Sequence, residues 1–239
     1  MTRNTAKQKP RVVAEQGYRK IRIDDLLTFE PITENQHKAK KAYSRDRNLM
    51  LKGYPGTGKT FLALLFALQE VLDPSSDYKR VAIIRSVVPT RDIGFLKGDD
   101  KEKIAVYETP YRDICEELFN IKGAYDILKA QGTIIFDTTS FIRGRSLHNT
   151  IFIVDECENL NFHELDSVIT RVGNYSKIIY CGDHGQTDFT KEGDKIGLIN
   201  FSRILKEMDN FTFVDFGIDD IVRSALVKSY IIAKDRLGF

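Results

Sequence analysis

The run Gly53-Tyr54-Pro55-Gly56-Thr57-Gly58-Lys59-Thr60 has the spacing Gly-x-x-x-x-Gly-Lys-Thr. A loop of this kind wraps a polyphosphate so closely that side chains would collide with it, hence Gly53, Gly56 and Gly58. Pro55 and Thr57 complete the cradle. Backbone N–H groups from Gly56 onward point inward, and the N-terminus of a following helix adds positive potential. Lys59 is expected to reach the β- and γ-phosphates, and the Thr60 hydroxyl to ligate Mg²⁺. A second run, Ile151-Phe152-Ile153-Val154-Asp155-Glu156, reads as a buried strand delivering two carboxylates to its C-terminal end. Ligands of open α/β sheets bind at that edge. Asp155 is expected to hold Mg²⁺ through a water, and Glu156 to orient or deprotonate the attacking water. A third run, Ile178-Ile179-Tyr180-Cys181-Gly182-Asp183, leads to Gln186, a polar group placed to sense the γ-phosphate. By its chemistry alone this third run reads equally as an ordinary turn.

The elements that must position these groups alternate. Strand-length apolar runs occur at 48–52, 81–84, 133–136, 151–154, 177–181 and 211–214. They lack polar alternation, as strands buried on both faces do. Helical patterns cover 60–72, 161–172, 196–208 and 221–237. Strand–helix alternation implies a mostly parallel β-sheet flanked by helices on both faces, a RecA-like α/β P-loop NTPase fold. Residues 91–103 are rich in glycine and charge and read as a functional loop, and 19–23 as a short strand.

The chain has 239 residues, enough for one α/β domain. Residues 1–23 carry seven basic residues against Glu15, a net +6 that leaves −4 for the rest. Residues 1–30 therefore read as a basic N-terminal arm, able to bind a polyanion or to lie solvated, and 31–239 as the NTPase domain. Cys115, Cys157 and Cys181 show no paired spacing, which fits reduced thiols in a cytoplasm. His37, His148, His163 and His184 form no metal-ligand pattern. No stretch of about 18 apolar residues occurs, so no membrane span is expected.

The order of these motifs resembles that of the PhoH-like ATPases, whose fold is similar to the motor core of superfamily 1 helicases. The resemblance covers residues 32–235. Thr33-Glu34-Asn35-Gln36 is similar to an adenine-reading glutamine motif, with Gln36 the reader. Ile84-Arg85 resembles the family's strand ending in arginine. Gly94-Phe95-Leu96-Lys97-Gly98-Asp99, Arg143-Gly144-Arg145, Asp155-Glu156-Cys157-Glu158-Asn159, Thr170-Arg171-Val172-Gly173, Gly182 to Asp188 and Asp220-Ile221-Val222-Arg223 follow in family order. Three positions depart from it. Lys97 and Ser86 stand in place of prolines. Glu158 stands in place of a glutamine, and an ionised glutamate only accepts hydrogen bonds.

The resemblance implies an ATPase acting on RNA or single-stranded DNA. A single motor domain would borrow its second half from a neighbouring subunit, so a homo-oligomer is expected, with a hexameric ring as one form. Arg223, early in the last helix, is then expected to act as a finger on a neighbour's γ-phosphate. Arg171 and Arg143 are alternatives, and an intrachain phosphate contact by Arg223 is the main rival. No residues are left over for the nuclease domain that some relatives carry. The compact chain is similar to stand-alone members, phage-encoded ones among them. The alternative function is a nucleotide-dependent switch or assembly protein with slow hydrolysis and no nucleic-acid substrate. No acceptor-binding lid is evident, which places a small-molecule kinase behind both.

Overall fold

A computed structural model describes residues 20–86, 100–139, 146–183 and 192–237. Six strands, β1 (Asn48–Gly53), β2 (Arg80–Arg85), β3 (Ile134–Thr138), β4 (Thr150–Asp155), β5 (Lys177–Asp183) and β6 (Phe211–Phe216), form one sheet in the order β3-β2-β4-β5-β1-β6. Every pairing is parallel. All six correspond to the apolar runs read from the sequence.

Alternate strand residues feed two cores. Leu49, Leu51, Ile83, Ile153 and Ile179 pack beneath α1 (Glu34–Tyr43), α2 (Lys59–Leu72), α3 (Asp100–Phe119) and α4 (Ala124–Ala130). Met50, Ala82, Phe152, Val154 and Tyr180 face α5 (Phe162–Ile169) and α6 (Glu192–Lys206). Helices thus cover both faces, which is why the strands carry apolar residues at successive positions. The last helix is α7 (Ala225–Arg236).

The helical layer departs from the sequence reading in several places, α4 among them, which no helical pattern announced. The segment 91–103 reads as a loop, yet α3 begins at Asp100 (residues 91–99 lie outside the described residues). The buried stripe of α3 is Glu108, Tyr111, Cys115 and Leu118. Its helical spacing is regular, but an acid, a phenol and a thiol do not read as apolar, and Pro110 lies inside the helix. The polar helix α1 buries only Gln36, Ala39, Ala42 and Tyr43, and escapes an apolar pattern for the same reason. The final helix starts at Ala225 rather than Ile221, because the Ser224 side chain accepts from Val227 N and caps it there. Arg223 therefore sits in the irregular stretch before α7. In place of a strand at 19–23, residues Ile23–Asp25 form a 3₁₀ turn. The Gln131 side-chain amide takes the part of a strand neighbour, accepting from Ile21 N at 2.8 Å and donating to Ile21 O at 3.1 Å. Ile21 itself is buried in the core.

Gly53 joins β1 to the phosphate loop at φ +147°, where a Cβ would lie 2.2 Å from Phe216 O on the neighbouring strand. Gly53→Ala is therefore expected to destabilise the fold by about 3 kcal/mol or more, since both the backbone region and the space are closed to a side chain. Urea denaturation followed by circular dichroism measures this. An unchanged midpoint would show that β6 moves aside freely.

Candidate nucleotide-binding site

Strand order and register assemble the site. β5 lies between β1 and β4, and its register pairs Gly53 with Asp183. On the other side of β4, Arg85 of β2 pairs with Asp155. The loop after β1, the acids after β4 and the tip of β5 thus converge at the C-terminal edge of the sheet. A cleft of about 1380 Å³ opens there, walled also by Phe29 to Ile32, by Pro110 and Ile114 of α3, and by Arg223.

Within the loop, Gly56 and Gly58 adopt φ +76° and +87°, the left-handed region that glycine enters without strain. The buried Thr57 hydroxyl donates to Tyr54 O at 2.9 Å and braces the turn. Lys59 is only 7% exposed. Its ammonium donates to Tyr54 O at 2.9 Å and Gly53 O at 3.2 Å, and pairs with Asp183 Oδ1 at 2.6 Å. The lysine expected to hold phosphate is thus stored among oxygens beside the loop.

Thr60 opens α2, and its hydroxyl donates to Asp155 Oδ1 at 2.8 Å. Asp155 Oδ2 accepts from the Tyr111 hydroxyl at 2.9 Å. Burial pushes the Asp155 carboxyl above the usual aspartate range, while the Thr60 and Tyr111 hydroxyls and Arg85 pull it back. The Thr60 hydroxyl and the Asp155 carboxylate are hard oxygen donors side by side. Magnesium, which keeps much of its water and takes phosphate oxygens, needs little more from a protein, so these residues fit it. Among the described residues no cluster of three or more His, Cys, Asp or Glu forms an all-protein metal cage.

Glu156 pairs through Oε1 with Arg85 Nη2 at 2.5 Å. Its backbone sits at φ 49°, ψ 45°, uncommon for a residue with a long side chain and a mark of functional sites. Burial raises its carboxyl above the ordinary glutamate range and Arg85 draws it down. The Tyr107 ring lies 5.8 Å from the Arg85 guanidinium, and Arg85 Nε is buried with no hydrogen-bond partner.

Glu158 is 5% exposed, and burial, with the Asp183 and Glu156 carboxylates nearby, pushes its carboxyl up to about 8. The protonated form carries a donor that the ionised form lacks. Among the described residues its Oε2 is buried without a partner, and a Cβ on Gly182 would come within 3.0 Å of it.

Gln36 is buried, with its amide already engaged. Its Oε1 accepts from Ile32 N at 2.9 Å, and its Nε2 donates to Thr57 O at 3.1 Å. One amide hydrogen and one lone pair remain. Arg223 lies against its own chain's loop: a Cβ on Gly56 would meet Arg223 Cγ at 2.5 Å, and Val222 N donates to Gly56 O at 3.0 Å. Arg171 is turned back onto its helix, donating to Ser167 O. Gln186, Arg143, Arg145 and the 94–99 segment with Lys97 lie outside the described residues, as does the arm through residue 19. Two functional contacts go unread in the sequence, those of Tyr111 and of Asp183 with Lys59. The stripe of α3 is the available signal for the first. The second depends on strand order, which the sequence pattern does not carry.

A parallel sheet of this order with a phosphate loop after β1 defines a P-loop nucleotide-binding NTPase of the RecA-like class. A family model described as PhoH-like protein matches residues 28–234, and the chain belongs to the PhoH family. It is 34% identical over 218 residues to a PhoH-like protein of Synechocystis sp., covering 91% of this chain and 65% of that protein. Over 142 residues it is 42% identical to protein PhoH2 of Bacillus subtilis, covering 58% of this chain and 32% of that protein. The chain thus spans less than two thirds of the length of either relative. Among solved structures, the ADP-bound large terminase of a thermophilic bacteriophage shares the fold at TM-score 0.50 and 12% identity, over 84% of this chain and 49% of that one. Among the described residues no helix is long and apolar enough to cross a membrane.

The Glu158 carboxyl provides a pH test. In the unfolded chain it titrates near the ordinary value of 4.5, and in the fold at about 8. Between those values the native state holds the extra proton, so stability falls as pH rises through the window. Glu158→Gln should abolish that fall, gaining on the order of a few kcal/mol over wild type at pH 9 and little at pH 5. Thermal melts of both proteins across pH 5–9 measure it. Parallel profiles would show that Glu158 titrates normally.

Proposed function

We propose that this chain binds ATP with Mg²⁺ and hydrolyses it, and that turnover is coupled to RNA or single-stranded DNA. The observation that carries the reading is the convergence in one cleft of the phosphate loop, the Thr60–Asp155 pair and Glu156. Thr60 and Asp155 would hold magnesium, which supplies charge neutralisation at the phosphate oxygens. Lys59 leaves Asp183 for the β- and γ-phosphates. Arg85 offers a guanidinium donor to the same triphosphate, Arg223 is the finger for a neighbour's γ-phosphate with its own chain's γ-phosphate as the rival target, and Gln186 senses the γ-phosphate. Glu156 accepts the proton of the attacking water once Arg85 is drawn toward phosphate.

The polymer reading rests on membership of the PhoH family and on the basic residues of the arm. A homo-oligomer, with a hexameric ring as the candidate form, and a cytoplasmic location belong to the same reading. One observation favours the second reading, a slow nucleotide switch. Lys59 and Glu156 are both engaged by opposite charges, at 2.6 Å and 2.5 Å, so the resting site is neutralised until a ligand opens both pairs.

Phosphate release measured alone and with single-stranded RNA, single-stranded DNA or duplex DNA separates the readings. The motor reading expects stimulation by one single-stranded polymer, and no stimulation by any of them would leave the switch. Glu156→Gln should retain nucleotide binding and slow turnover by about 10²-fold or more, whereas Lys59→Ala should weaken binding itself. Unchanged turnover in the Glu156 variant would remove that residue from the proton transfer.

Gln36 is proposed to read adenine with its remaining hydrogen and lone pair. Gln36→Ala should raise KM for ATP and narrow the preference for ATP over GTP, as competition assays would show. An equal loss for both nucleotides would make Gln36 a strut for Thr57 alone.

A further inference from the structure

Asp155 has two carboxylate oxygens and two hydroxyl donors, and only one of those donors belongs to the phosphate-loop helix. The other, Tyr111, comes from the middle of α3. The Tyr111 side chain is fully buried, with its ring 5.8 Å from that of Phe136. Its place is therefore set by the core and not by what fills the cleft. One turn earlier on the same helix, the buried Glu108 accepts from the Tyr125 hydroxyl at 3.2 Å and the Lys129 ammonium at 2.5 Å, both on α4. That pairing fixes the rotation of α3 about its axis, and with it the direction of the Tyr111 hydroxyl.

We infer that Tyr111 is the positioning residue for Asp155, its hydroxyl holding Oδ2 so that Oδ1 is presented beside Thr60 for the hydrated magnesium ion. The inference rests on the nucleotide-binding reading above and adds a residue to it. The physical need is specific. The torsion that turns a carboxylate is broad and nearly two-fold, so the Thr60 hydroxyl and the Glu156 backbone N–H at its own turn leave Asp155 loosely set. A second hydroxyl donor on the opposite oxygen removes that freedom. It also satisfies a buried lone pair that would otherwise stand unmatched. Groups that orient a metal-binding side chain from behind commonly govern metal affinity without touching the metal.

Tyr111→Phe removes the hydroxyl and little else. Tyr43→Phe removes a second buried hydroxyl, one that donates to Glu70 and takes no part in the pairing of α3 with α4, and serves as the matched control. Binding of a fluorescent ATP analogue by the full chain is titrated at a series of Mg²⁺ concentrations and again in EDTA. Thermal melts of all three proteins accompany the titrations. The Tyr111 variant should need about 10-fold more Mg²⁺ for the same enhancement of binding, the lower end of effects seen on removing such supports. Its affinity in EDTA should match wild type, and its melting temperature should fall no further than that of the Tyr43 variant. The Tyr43 variant should keep the wild-type magnesium requirement. An unchanged magnesium requirement in Tyr111→Phe would overturn the inference. So would a loss of affinity that is equal with and without the metal, since that is the mark of a general packing role. Failure of the wild-type chain to bind the analogue under any condition would instead remove the nucleotide-binding reading on which the inference stands.

Discussion

An ammonium taken out of water needs oxygen atoms on several sides, and at Lys59 the chain supplies them from two elements. The carbonyls of Gly53 and Tyr54 come from the loop's own turn, and Asp183 comes from the strand next door. Much else at the sheet edge follows from that arrangement. The loop must fold back on itself tightly enough for its carbonyls to reach the lysine, which draws Gly56 and Gly58 into left-handed conformations. The strand bearing Asp183 must lie directly beside β1. β4 is then displaced by one position, far enough for its acids to meet the hydroxyl of Thr60 and not the lysine.

Carboxyl groups crowd this edge, and the crowding has an electrostatic solution. Asp183 pairs with Lys59 and Glu156 with Arg85. Asp155 is held by two hydroxyl donors. Glu158 is paired with no cation among the described residues, and burial pushes its carboxyl up. Burying a lone carboxylate would cost several kcal/mol, which is why its proton is held more tightly there.

The sheet makes such crowding tolerable because its interior is apolar on both faces and rigid. Leu49 and Leu51 point to one core and Met50 to the other, so β1 is held from both sides up to the residue where the loop departs. α3 contributes in a different way. It carries no phosphate-binding motif, yet through Tyr111 and Tyr107 it reaches Asp155 and Arg85. It links the packing of one helical layer to the acidic side of the cleft.

The sequence by itself determined what is local in the chain. Eight consecutive residues fix the phosphate loop, since its glycines, lysine and threonine act through neighbouring backbone. Continuous apolar runs fix the six strands, because burial on both faces leaves no room for polar alternation. What lies far apart in sequence was decided only in three dimensions. That β5 separates β1 from β4 is set by the order in which the strands assemble, and this alone brings Asp183 to Lys59. The rotation of α3, set by Glu108 against α4, brings Tyr111 to Asp155. The start of α7 at Ala225, after its Ser224 cap, leaves Arg223 in the irregular stretch that lies over Gly56 of the loop. Each of these contacts depends on the summed packing of many side chains, and no short pattern of residues encodes such a sum.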